Sequence, residues 1–210
     1  SVSAFLLNRS SDLEIVGADS DFATLHKVYR WMVDGIGFTT RKGEPCTVHL
    51  IDFENPDSNY FRVVNQFSVE YTDNGQTYER RPDVLRYVNG LPVCVMELKN
   101  PADEKATITD AWEQINLRYW RDIPHLLHYC PLACISDGVK SRLGTVRTPY
   151  EHFYAWRRVE NGDKVSTMPF EEVMTMVKGV YRPDRFLEIF RDYILFQDEE
   201  FDADEKEIVC

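Results

Sequence analysis

Apolar and polar positions recur with two different periods along this chain, and each change of period marks an element. Phe22, Leu25, Val28, Tyr29 and Met32 lie three and four residues apart, which gathers them on one face of an α-helix. Asp19-Ser20-Asp21 supplies a start signal and Gly35 and Gly37 a stop, so a helix is expected over about 19–35. Thr47 to Phe53 reads as a strand, Asn55-Pro56-Asp57-Ser58 as a turn, and Phe61 to Tyr71 as a long extended run closed by Asp73-Asn74-Gly75. Two apolar runs then flank Asn89-Gly90, a dipeptide suited to a tight hairpin. Beyond Pro101 a cap at Thr107 or Thr109 opens a helix with Ile108, Trp112, Ile115 and Tyr119 on one face, ending before Pro124. Cys130 to Ser136 suits a buried strand parallel to the second hairpin strand after this helical crossover. Arg142 to Arg147 and Phe153 to Val159 read as further strands, and Phe170 to Val177 and Asp184 to Phe196 as helices. Residues 1–18 show no clear period. This order predicts an α/β domain with a mixed sheet.

The hairpin carries the candidate chemistry. Asp83 precedes its first strand, and Glu97 and Lys99 stand two apart near the end of its second, on one face. Gathering these charges costs desolvation unless they pair with each other or hold a cation. Mg²⁺ takes oxygen ligands, keeps several waters and needs only one or two carboxylates, which Asp83 and Glu97 offer. Lys99 could then orient a water or steady a phosphorane, so the set could support metal-assisted phosphodiester hydrolysis. Register decides whether it assembles. With a regular two-residue loop Val88 pairs with Leu91 and Asp83 with Met96, leaving Asp83 and Glu97 on opposite faces. The chemistry therefore requires a three-residue connection, Asn89-Gly90-Leu91, or a bulge. Carboxylates more than about 8 Å apart could not share an ion with ~2.1 Å ligand bonds.

Charge and cysteine content narrow the setting. The net charge is −11 from 24 basic and 35 acidic residues, the wrong sign for a protein whose affinity rests on phosphate contacts. Seven carboxylates and one lysine between Asp198 and Glu207 carry −6 of it, so any nucleic-acid contact calls for a local basic patch or for other domains. Cys46, Cys94, Cys130, Cys134 and Cys210 are odd in number, and Cys94 and Cys134 sit in apolar strand runs, which suits reduced thiols in a cytosol. Cys130 and Cys134 have no second pair at ligand spacing, which argues against zinc or an iron–sulfur cluster. No apolar stretch reaches the ~18 residues of a membrane span, so a cytoplasmic protein without a membrane partner is expected. Ser1 rather than Met opens the chain, as in a piece of a longer polypeptide.

Pro82-Asp83 followed by Glu97-Leu98-Lys99 resembles the PD-(D/E)xK nuclease superfamily. The surrounding words are more specific: Phe61-Arg62-Val63-Val64-Asn65-Gln66-Phe67, Arg81-Pro82-Asp83-Val84, Val88-Asn89-Gly90-Leu91-Pro92, Glu97-Leu98-Lys99-Asn100-Pro101 and Ile135-Ser136-Asp137-Gly138. Over roughly residues 45 to 196 they are similar to the N-terminal nuclease domain of the restriction (R) subunit of type I restriction-modification enzymes. The resemblance implies a restriction-endonuclease-like mixed β-sheet flanked by helices and Mg²⁺-dependent cleavage of double-stranded DNA. It also implies methyltransferase and specificity subunits as partners, and ATP used only by a translocase motor that this chain lacks. On that likeness a nuclease domain covers 1–196, with its N-terminal helix about 19–35, its catalytic core about 45–160 and its C-terminal helices about 170–196. Residues 197–210 form an acidic tail or linker toward the motor.

Carried over by position, Asp83 and Glu97 are the metal ligands, with the Leu98 carbonyl a possible third, and Lys99 is the catalytic lysine. The family also places a Tyr four residues after a Gln on the next helix. Here Arg118 stands at that spacing from Gln114 and the Tyr comes one later, at Tyr119. Five α-helical residues turn Tyr119 away from the Gln114 face unless a π-bulge intervenes, so Tyr119 is read equally as helix core. Arg80, Arg81, Lys140, Arg142 and Arg147 are candidate phosphate contacts, each also readable as a solvated surface charge. Asp21 is a helix cap or a third acid, the tryptophans are chiefly packing residues, and the histidines offer no pair at metal spacing beyond His125 and His128. The rival readings are a docking module of the same fold without catalysis, and a stand-alone nuclease of the superfamily.

Overall fold

A computed structural model describes residues 21–103, 106–163, 165 and 171–196. The start signal at Asp19 and Ser20, the helical position Phe170 and the acidic tail lie outside the described residues. Helix α1 (Asp21–Asp34) buries Leu25, Val28, Tyr29 and Met32, the face expected from their spacing. Gly35 ends it at φ +87°, a left-handed conformation that glycine adopts without a steric cost. Strands β1 (Ile36–Thr39) and β2 (Pro45–Val48) then form a small antiparallel pair.

The main sheet uses β3 (Phe61–Asn65), β6 (Val84–Val88), β7 (Leu91–Leu98), β8 (Leu132–Ser136), β9 (Ser141–Thr145) and β10 (Tyr154–Ala155), in the order β10-β9-β8-β7-β6-β3. Only β7 and β8 run parallel. Their crossover begins with α2 (Ile108–Glu113), continues through a π-turn (Gln114–Tyr119) and a last α-turn (Trp120–Asp122), and closes on the short α3 (Pro124–Leu127). Thr107 caps α2: its hydroxyl accepts from the Asp110 N–H at 3.3 Å, while the Asp110 carboxylate accepts from the Thr107 N–H at 2.6 Å. The separate hairpin of β4 (Val69–Asp73) and β5 (Gln76–Arg80) projects between β3 and β6 in sequence. Helices α4 (Glu171–Val180) and α5 (Pro183–Asp192) complete the described fold.

Each face of the sheet has its own core. One contains Leu85, Val95, Ala133, Ile135, Ile115, Tyr119 and Ile123 against the crossover helix. The other contains Cys94, Met96, Leu132 and Cys134 against Val28 and Met32 of α1 and Phe186 and Phe190 of α5. This is a restriction-endonuclease-like mixed sheet flanked by helices.

Several elements are shorter than their apolar patterns suggest. The strand expected over Thr47 to Phe53 stops at Val48, because Ile51 enters the core from a loop and Asp52 Oδ1 accepts from the Glu54 and Asn55 N–H groups. The run from Phe61 to Tyr71 breaks at Gln66, whose φ is +52°. The strand over Phe153 to Val159 reduces to Tyr154–Ala155, and the strand from Arg142 to Arg147 shifts to Ser141–Thr145. Of the closing helices, the first ends three residues later than expected, at Val180, and the second four residues earlier, at Asp192.

Candidate active site

Asn89 and Gly90 adopt positive φ (+51° and +87°), as a two-residue type I′ turn requires. Val88 accordingly pairs with Leu91 and Tyr87 with Pro92, but Arg86 pairs with Cys94, which leaves Val93 bulged. Val93 and Cys94 both enter the α1/α5 core, and from there the alternation of β7 is inverted, with Val95 in the crossover-helix core. Val84 then pairs with Met96, so the next position, Asp83, falls opposite Glu97. Of the two devices the chemistry requires, the chain uses the bulge. Pro92, which has no N–H for the ladder, stands immediately before it.

Asp83 is pinned on both oxygens. Gln66 Nε2 donates to Oδ1 at 2.6 Å and the Leu98 N–H to Oδ2 at 2.8 Å. Glu97 is 2% exposed and also has both oxygens engaged, Oε1 accepting from Gln114 Nε2 at 2.5 Å and Oε2 from the Tyr119 hydroxyl at 2.8 Å. Lys99 Nζ donates to Gln114 Oε1 at 2.6 Å, which turns that amide so its NH₂ serves Glu97 and the Tyr119 oxygen, the latter at 2.8 Å. The side chain of Leu98 faces outward, 39% exposed.

Tyr119 reaches Glu97 because the helix widens at Gln114. Over Gln114–Tyr119 the backbone is π-helical, and its i→i+5 pattern brings residues five apart onto one face. The extra residue between Gln114 and Tyr119 is thus absorbed by the backbone. Tyr119 is at once core, 1% exposed, and a donor to the carboxylate.

Burial raises the Glu97 pKa to about 8, with the neighbouring Asp83 charge as the second cause, while the Tyr119 hydroxyl and the Lys99 charge pull it down. The Asp83 charge acts on Glu97 from the facing position across the hairpin. Burial, then Glu97, holds the Tyr119 hydroxyl well above its ordinary value, so it remains a donor. Once both groups are ionised, every carboxylate oxygen here accepts one hydrogen bond and keeps a second lone pair. Among the described residues no three His, Cys, Asp or Glu side chains are grouped to hold a metal. Two hard carboxylates that repel each other suit a cation such as Mg²⁺, which keeps most of its waters, better than one needing a full protein cage.

The model of the type I restriction enzyme R protein N terminus matches residues 13–152. The chain belongs to this family. It is 30% identical over 195 residues to the putative type I restriction enzyme MjaIXP endonuclease subunit of Methanocaldococcus jannaschii, covering 83% of this chain and 18% of that protein. It is also 34% identical over 173 residues to the type I restriction enzyme HindI endonuclease subunit of Haemophilus influenzae, covering 80% of this chain and 16% of that protein. The chain therefore spans less than a fifth of the length of these relatives.

Within this R-protein N-terminal domain the other charged candidates are dispersed. Arg80 Nε reaches the fully buried Asp122 carboxylate at 2.7 Å, tying β5 to the crossover helix. Arg142 lies over Tyr150 at 4.8 Å, and Arg147 over Trp120 at 3.9 Å with Asp21 at 3.6 Å. Arg81 and Lys140 are exposed. Asp21 also meets His128 Nε2 at 3.0 Å, so its partners are basic side chains. Trp112 and Trp120 donate their indole N–H groups to backbone carbonyls, as packing residues do.

Sequence reasoning missed two features beside the site. A groove of about 640 Å³ is lined by Lys99, Gln114, Arg118 and Arg121 together with the acidic Asp110 and Glu113, bringing two arginines beside Lys99. Their spacing of four and seven from Gln114 was the available signal. Gln66 had none, because its contact with Asp83 depends on where β3 ends.

No described helix is long and apolar enough to cross a membrane.

Proposed function

We propose that this chain is the Mg²⁺-dependent endonuclease domain of a type I restriction-modification enzyme, hydrolysing phosphodiester bonds of double-stranded DNA. On this reading the methyltransferase and specificity subunits are partners, and cleavage follows ATP-driven translocation by a motor domain outside this chain. The observation that carries it is the convergence on one sheet face of Asp83, Glu97, Lys99, Gln114 and Tyr119. Asp83, Glu97 and the Leu98 carbonyl would hold the cation, which when bound polarises the phosphate and acidifies a water. Lys99, aimed by Gln114 Oε1, sits two residues from Glu97, where its ammonium orients the attacking water or offsets charge on a non-bridging oxygen. Gln114 and Tyr119 keep the Glu97 carboxylate from rotating. Arg118 offers the approaching backbone a positive charge in an otherwise acidic chain, while Arg121 on the same groove is paired with the buried Asp122 carboxylate at 2.7 Å.

Calorimetric titration of the chain with Mg²⁺ and Mn²⁺ tests the site directly. Binding at millimolar cation or tighter is expected, abolished in Asp83→Ala. A folded wild-type chain that gives no heat of binding overturns the proposal. In the reconstituted complex Lys99→Ala is expected to slow DNA cleavage about 10²–10³-fold with cation binding retained, the scale set by removal of one electrostatic group.

A further inference from the structure

Gln66 meets Asp83 twice. Its backbone N–H donates to the Asp83 carbonyl at 2.9 Å, continuing the β3–β6 ladder one step past Asn65–Val84, and its side chain donates to Asp83 Oδ1 at 2.6 Å. Both contacts come from one residue because Gln66 is held at φ +52°, where the strand breaks off and the side chain turns back toward the carboxylate. That conformation is strained for a residue with a Cβ and free for glycine. Gln66 is exposed, so neither core packing nor a buried polar group accounts for a glutamine here. The side chain has one evident contact, the Asp83 carboxylate.

We propose that Gln66 is a positioning residue for the cation site: its amide fixes the rotation of the Asp83 carboxylate, so that the remaining lone pairs face Glu97. Asp83 projects just ahead of β6, with a single further anchor, the Leu98 N–H on Oδ2. With one donor the carboxylate can pivot about that bond. With donors on both oxygens from two flanking strands its plane is set before a cation arrives, and less ordering remains to be done on binding. Glu97 is held by Gln114 and Tyr119 in the same way, so each carboxylate has two donors. This inference rests on the reading of Asp83 as a cation ligand.

Two substitutions separate the side chain from the backbone. Gln66→Met keeps the bulk and the left-handed strain but removes the donor. Gln66→Gly removes the side chain while relieving the strain and keeping the N–H contact. Mn²⁺ titration calorimetry of the full chain, with thermal unfolding of the metal-free protein alongside, is expected to show both variants binding on the order of 10-fold more weakly than wild type. Their melting temperatures should stay within about 3 °C of it, an exposed hydrogen bond contributing little to stability. Wild-type affinity in either variant overturns the inference, as does loss of the fold in Gln66→Gly, which would make the residue structural. If the wild-type chain itself binds no Mn²⁺, the assignment of Asp83 as a ligand falls, and this inference with it.

Discussion

The strands of the hairpin carry one polar cluster on each face, and the two are built on opposite principles. Facing the crossover helix, Asp83 and Glu97 are surrounded by donors and stand beside a groove lined by Lys99, Arg118 and Arg121. Facing α4 and α5, Arg86 is 4% exposed and lies over Phe186 at 4.0 Å, Tyr181 at 4.8 Å and Phe61 at 5.0 Å. Its Nη1 donates to the Tyr181 carbonyl at 2.8 Å, and no carboxylate among the described residues pairs with it. The Tyr181 hydroxyl meets Cys94 and Cys134, whose sulfurs are 3.9 Å apart. Ring faces and one backbone carbonyl enclose a guanidinium whose Nε has no hydrogen-bond partner among the described residues and which that groove does not reach, whereas hydrogen-bond donors hold carboxylates whose second lone pairs remain open. A buried charge by itself therefore does not mark a site; what marks it is unfinished coordination beside an open groove. The Val93 bulge separates the two, since it places Cys94 on one face and Glu97 on the other.

The largest test of this contrast is pH. In the metal-free chain the folded state keeps the Glu97 proton up to about 8, while the unfolded chain releases it near the ordinary 4.5. The folded state thus binds more protons between these values, and stability falls as pH rises through the window, by at most about 1.4 kcal/mol per pH unit. Urea unfolding in chelator should show the fall, and Glu97→Gln or saturating Mg²⁺ should flatten it. A wild-type profile as flat as that of Glu97→Gln would remove the distinction between the clusters.

Next in size is the sealed side. Arg86→Ala empties space between three rings and is expected to destabilise the chain by about 3 kcal/mol, read from the shift in urea midpoint. Cation affinity of the protein that remains folded should not change. A loss of Mn²⁺ binding under folding conditions would mean that the two faces are coupled through the bulge.

Smallest is Tyr119→Phe, which removes one donor from Glu97 and fills the same core volume. A cost of about 1 kcal/mol is expected. Because the Tyr119 bond lowers the Glu97 pKa, its loss should carry the stability decline to higher pH, whereas no shift is expected if Tyr119 only packs. Comparing unfolding profiles of the two proteins between pH 5 and 9 decides this.

Much of the fold was readable because its signals are local. The α1 face, a cap at Thr107 or Thr109, the Asn89-Gly90 turn and the buried β8 strand each follow from neighbouring residues, and the helical crossover before β8 makes it parallel to β7. Strand ends were less legible. Ile51 is apolar enough for a strand, yet Asn59, eight residues later, accepts from the Asp52 N–H at 2.9 Å and fixes a loop. Among site residues, Asp83, Glu97 and Lys99 could be named from spacing and Gln114 from the family resemblance, while Arg80, equally charged, is taken up by a buried carboxylate that lies 42 residues away.

The sequence by itself determined which residues could do chemistry and that a hairpin carries them, since residue type, turn preference and period are properties of neighbouring positions. It also posed the question of register as a choice between a longer loop and a bulge. Only the tertiary structure chose among the answers: the bulge at Val93, the π-turn from Gln114 to Tyr119 and the left-handed Gln66. Each is an irregularity of one residue, cheap locally, and its place is decided by which arrangement lets both cores and the polar cluster between sheet and helix be satisfied together.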